Sequence, residues 1–198
     1  MTDLRRRLAI RGAGLTALAL VLSSCARKPE RFLTTDITGV DWGREFRLTE
    51  HTGMPRTLAD FRGKAVMLFF GYTHCPDQCP TTLAKMARAV DRLGEDGKRA
   101  QGLFVTLDPR RDTQDVLAQY VPAFHPGFIG LRGSEAEVAQ TAQDFKVFFA
   151  SQRPDASGSY TVDHLTAIFV FDLQGGLRLY MKGDSDVDAI VHDLKLLL

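Results

Sequence analysis

An α/β fold, with a mainly parallel sheet flanked by helices and finished by an antiparallel hairpin, follows from three features of this 198-residue sequence. Ala65 to Tyr72, AVMLFFGY, is apolar almost throughout, as a central strand covered on both faces must be. Gly102 to Pro109, GLFVTLDP, reads as a second parallel strand, and a helix-like pattern follows each of the two. Leu165 to Tyr180 contains two strand-like runs around Gln174, Gly175 and Gly176, a hairpin signal.

The N-terminus stands apart from this domain. Arg5, Arg6, Arg7 and Arg11 precede an apolar run from Ala13 to Leu22, and LSSC closes it at Cys25. That is the order of an export signal: a basic region, a short apolar region, then small residues before a cut. The run is about half of the roughly 18 residues that a membrane-spanning helix needs. LSSC resembles a bacterial lipobox, which makes Cys25 a lipidation site; an uncleaved signal anchor is the alternative. A cut before Cys25 leaves 21 of the 25 basic and 23 of the 24 acidic residues, a net charge of −2. No basic stripe survives, which argues against a nucleic-acid partner. The expected organisation is residues 1–24 as export signal, 25–39 as tether and 40–198 as one domain.

Within the domain, Phe46 to Phe61 carries turn residues between two short alternating stretches and reads as an N-terminal hairpin. After the first central strand a helix should start at Pro80, since proline is tolerated in a first turn, and stop near Gly94 or Gly97. Leu83, Met86, Ala87 and Val90 then share its core face. TQDVLAQYV forms a helix behind the second strand. Ser134 begins the next helix, with the acid of a capping box three residues on. Ser151 to Asp163 is a polar loop or short hairpin, and Ser185 to Leu198 a closing amphipathic helix. A thioredoxin-like sheet flanked by helices, with an N-terminal hairpin extension, fits this order.

Chemistry concentrates in GYTHCPDQCP, Gly71 to Pro80. The sequence holds three cysteines, and with Cys25 lipidated the other two are Cys75 and Cys79. They lie between a strand end and a helix start, where unpaired N–H groups and the helix dipole favour a thiolate and lower its pKa. Outside the cytosol such a pair oxidises readily, so thiol chemistry there needs a reductant. Thiol oxidoreductases place two residues between their cysteines, whereas three stand here. The wider loop can close a disulfide or hold two sulfurs around one ion, so staple, redox couple and metal site all stay open. Thiolates select soft ions such as Cu(I), and an added imidazole accommodates Cu(II) or zinc.

A third ligand would discriminate. His51 and His125 lie in loop-like segments, His192 in the closing helix, and His74 beside Cys75 points to the opposite side of an extended chain. His164 precedes a strand that should run antiparallel to the first central strand. The start of one then lies at the end of the other, which carries His164 towards Cys75 and Cys79.

GYTHCPDQCP, LDPRRDT (Leu107 to Thr113) and YTVDH (Tyr160 to His164), with LADFRGK and DWGREFRLTEHTG upstream, resemble the signature segments of the Sco/SenC proteins. The resemblance covers about residues 36 to 198. It implies a membrane-anchored thioredoxin-like domain on the periplasmic side of a bacterial membrane. It further implies copper bound as Cu(I) or Cu(II) by Cys75, Cys79 and His164, for assembly of the CuA centre of cytochrome c oxidase. The implied partners are the CuA-bearing oxidase subunit and a periplasmic dithiol reductant or copper donor. A metallochaperone is thus favoured over an enzyme. The rival readings are a thiol-disulfide oxidoreductase that reduces the CuA-site cysteines through Cys75 and Cys79, a peroxidase, and a redox or copper sensor. Asp77, Asp108, Pro109, Arg111, Asp112 and Asp163 are read first as structural support.

Overall fold

The computed structural model describes residues 31–198. Three parallel strands form the centre: β4 (Ala65–Gly71), β5 (Ala100–Thr106) and β6 (Ile129–Arg132). Every residue of β4 is buried, as its unbroken apolar sequence requires of a strand covered on both faces. On its other side β4 pairs antiparallel with β9 (Ala167–Phe171), with Phe69 opposite Ile168. The start of β9 therefore lies at the finish of β4. β10 (Leu177–Lys182) returns against β9 through the Gln174–Gly176 turn, and β1 (Thr35–Asp36) pairs with β10 through Thr35–Tyr180 and Asp36–Leu179.

At the far side, β2 (Arg47–Glu50) and β3 (Pro55–Thr57) form the N-terminal hairpin and extend the sheet beyond β6. The order of the eight strands is β1-β10-β9-β4-β5-β6-β2-β3. A separate two-stranded hairpin joins β7 (Phe149–Ser151) to β8 (Val162–His164), with Phe149 opposite His164.

The helices are α1 (Gln78–Leu93), α2 (Gln114–Tyr120), α3 (Glu135–Asp144) and α4 (Val187–Leu197). Ser134 and Glu137 make the reciprocal capping box of α3. Gly94, at φ 59°, ends α1 in a conformation that glycine reaches without strain. α1 packs on α4 on the face of β4 that Gly71 presents, and Phe70, Phe145 and Phe169 meet at 5.3–6.0 Å in the core on the other face. Each such buried ring contributes on the order of 1.5–3 kcal/mol.

Two local expectations change, and one strand, β6, has no counterpart among them. α1 begins at Gln78, not Pro80, because the first helical N–H groups need no partner within the helix and proline is accommodated there; Cys79 lies inside the first turn. β6 has only four residues, one of them glycine, and is held by its neighbours β5 and β2 rather than by a visible pattern. The stretch to residue 39 read as tether joins the fold well before that point. Leu33 and Thr34 donate their backbone N–H groups to Asp193 at 2.8 and 2.9 Å, and β1 follows at once.

Candidate metal centre

β4 delivers the cysteine loop and Asp112 fixes its shape. The Asp112 carboxylate is fully buried and accepts from Thr73 N–H at 3.0 Å, Thr73 Oγ1 at 2.6 Å and Thr106 Oγ1 at 2.6 Å. Hydrogen bonds to a charged group are worth about 1.5–3 kcal/mol each, enough to hold a loop tightly to a strand end. The Cys75 N–H returns to the Tyr72 carbonyl at 3.3 Å, after which Asp77 caps α1 through its backbone. Gly71 lets the second sulfur come close: a Cβ at that position would lie 2.8 Å from both Cys79 Sγ and Phe104.

Both thiols are free, Cys75 half-buried and Cys79 completely buried. Cys79 N–H donates to Cys75 Sγ at 3.4 Å. His164, the last residue of β8, sits with Nε2 3.6 Å from Cys79 Sγ, and its Nδ1 lies 3.1 Å from the Val162 carbonyl. A carbonyl can only accept, so Nδ1 carries the proton and the Nε2 lone pair faces the sulfur. Burial lowers the His164 pKa, which keeps the ring neutral and able to donate that pair.

Burial likewise pushes the Cys79 thiol well above its ordinary range. The hydrogen bond from the Tyr72 backbone opposes that shift, while the neighbouring Cys75 and Asp112 add to it. This overturns the expected lowering for Cys79, because desolvation outweighs the helix dipole. A sulfur so placed ionises only with a cation beside it, and a bound metal supplies one.

The spacing suits that role. With bonds of about 2.3 Å to sulfur and about 2.0 Å to imidazole nitrogen, a tetrahedral ion separates the two donors by about 3.5 Å. The observed separation is 3.6 Å. Among the described residues no three or more His, Cys, Asp or Glu side chains are already gathered as a cage. The Cys79–His164 pair is in place, and Cys75 Sγ rests on the Cys79 N–H.

The other histidines have different partners. His51 Nδ1 accepts from Gly130 N–H at 2.9 Å, His125 Nδ1 accepts from Gly127 N–H at 3.1 Å, and His192 pairs with Asp193 at 2.9 Å. His74 is half exposed and lies 3.8 Å from Asp112. Asp163 accepts from Gln152 at the surface, and Asp77 accepts from Gln78 at 3.0 Å. Arg111 pairs with Asp108, not with Asp112. Two side chains the sequence did not single out matter here: Tyr72 lies edge-on to the His164 ring at 5.7 Å, and Tyr160, four residues before His164, donates its hydroxyl to Asp108 at 2.9 Å. Their only advance sign is an aromatic residue inside two of the motifs. Cys25 lies outside the described residues.

The SCO1/SenC family model matches residues 35–198. The mitochondrial SCO2 homolog of Danio rerio is 42% identical over 154 residues, which make up 75% of this chain and 55% of that protein. The chain thus spans just over half the length of that relative. Among solved structures, apo Sco1 from Thermus thermophilus is 39% identical with a TM-score of 0.77, covering 86% of this chain and 99% of that one. Bradyrhizobium japonicum ScoI with copper bound is 33% identical with a TM-score of 0.71, covering 78% and 98%. The family match runs from the first sheet strand to the last residue and takes in Cys75, Cys79 and the histidine that meets Cys79, so the chain belongs to the SCO1/SenC family.

Proposed function

We propose that this chain is a membrane-tethered copper carrier of the bacterial periplasm. It takes up copper through the Cys75 and Cys79 thiolates and the His164 imidazole, and passes it to the CuA-bearing subunit of cytochrome c oxidase. The observation that carries the reading is Cys79 Sγ at 3.6 Å from a neutral His164 Nε2, a donor separation suited to one ion. Copper bound to the Bradyrhizobium ScoI supports the choice of metal. The export-signal pattern before Cys25 supports the tether, with lipid on Cys25 as the anchor and residues 25–31 as the leash. Among the described residues no helix is long and apolar enough to cross a membrane.

The test is anaerobic titration of the reduced chain with Cu(I) and Cu(II). One equivalent should be retained. The Cys75→Ser, Cys79→Ser double variant should retain none, and His164→Ala should bind at least about tenfold more weakly, or about 1.4 kcal/mol. Stoichiometric retention by the double serine variant would sink the reading.

A thiol-disulfide oxidoreductase is the second reading, favoured by two free thiols of which Cys75 is the more accessible. Cys75 would attack a disulfide of the oxidase subunit and Cys79 would resolve the mixed disulfide, so the target gains two thiols as this pair is oxidised. A periplasmic dithiol would then restore it. A His164→Ala chain that still reduces the target and supports oxidase assembly would favour this reading over copper transfer.

A further inference from the structure

His164 hangs on a hairpin, not on the main sheet. β8 pairs only with β7, and both lie outside the eight-stranded order, so the sheet ladder does not fix the ring against the sulfurs. Side chains have to do it, and one cation reaches all the segments concerned. Arg111, in the turn after β5, donates through Nη1 to the Tyr160 carbonyl at 2.9 Å. Its guanidinium lies 3.6 Å from the centre of the Tyr160 ring and 5.8 Å from that of Tyr72. Asp108, only 4% exposed, pairs with Arg111 Nε and accepts from the Tyr160 hydroxyl at 2.9 Å.

Tyr160, four residues before His164, is thereby held at its backbone, its ring face and its hydroxyl by two residues of one turn. Tyr72 completes the chain of contacts: its ring lies 5.8 Å from the Arg111 guanidinium and meets the His164 ring edge-on at 5.7 Å. Arg111 Nη2 is buried with no partner among the described residues. The fold tolerates that unmatched donor while the rest of the guanidinium makes these contacts. Lysine would keep the charge but lose both the flat face and the fork.

We propose that Arg111 is a positioning residue: by gripping Tyr160 it holds His164 Nε2 against Cys79 Sγ, and so sets how long a soft cation stays bound. This rests on the ligand reading above. The test compares the full reduced chain with Arg111→Gln, Arg111→Lys, His164→Ala and the Arg111→Gln, His164→Ala double variant. Two measurements are made: loss of copper to a competing chelator, and hydrogen exchange of the metal-free proteins.

Arg111→Gln should lose copper about tenfold faster or more. Arg111→Lys should fall between it and the parent. The double variant should be no faster than His164→Ala alone, because Arg111 acts only through the ring. Without metal, exchange at residues 160–166 should rise in Arg111→Gln while the central strands stay protected. An Arg111→Gln effect that persists in full without His164, or exchange at 160–166 unchanged from the parent, overturns the proposal. Should the parent itself fail to hold copper, the ligand reading falls, and the exchange result alone decides whether Arg111 positions the hairpin.

Discussion

Gly71 shows how narrowly one residue sets the site. Adding a methyl group there would drive Cβ to 2.8 Å from Cys79 Sγ and from the Phe104 ring, both completely buried and with no room to retreat. Gly71→Ala should therefore cost about 1–3 kcal/mol as overpacking and displace Cys79 from His164. Urea unfolding and copper titration of the same variant check the two effects together. His164 makes a second prediction at this scale. Its folded pKa lies below the ordinary histidine value of about 6.5, so on acidification the unfolded chain takes up the proton before the folded one. The group's contribution is complete above that value and is lost as pH falls from there towards the folded pKa. Urea midpoints at pH 7.5 and pH 5.5 should show a larger acid loss for the parent than for His164→Ala.

Among the elements, one carboxylate fastens the start of the N-terminal segment, just ahead of the β1–β10 pairing. Asp193 of α4 is fully buried and accepts from Leu33 N–H, Thr34 N–H, Thr34 Oγ1 and His192 at 2.6–2.9 Å. Burial pushes its pKa up, and these hydrogen bonds outweigh that and bring it below the ordinary carboxylate range. Asp193→Ala should leave the donors unmatched at a cost of about 1–3 kcal/mol. Amide exchange should then quicken at residues 33–37 while β4 and β5 stay protected. Nothing in the sequence marks this contact, because it joins residues about 160 positions apart through one side chain. β4, β9–β10, α3 and α4 were legible because a long apolar run, a glycine turn, a capping box and a helical stripe each leave a local pattern. β1 and β6, with two and four residues, are too short to leave one.

In the whole molecule, the site arises from topology more than from any segment. β4 and β9 run antiparallel, so sequence order alone carried His164 to the sheet end where Cys75 and Cys79 lie. What stayed hidden was depth. The helix dipole argued for an acidic thiol, but Cys79 is completely buried with His164 of β8 against its sulfur, and no local reading of the cysteine loop contains that burial. The same holds for Arg111, whose partner Tyr160 is 49 residues away.

The register of β1 on β10 has one more consequence. Thr35 stands opposite Tyr180 and Lys182 opposite Ala167, so the backbone comes in at the edge of the sheet from the same pole as the cysteine loop. Three strand spacings, about 14 Å, separate the two points. A pull on residues 33–36 is therefore applied at the pole that carries Cys75 and Cys79, not at the opposite end of the sheet.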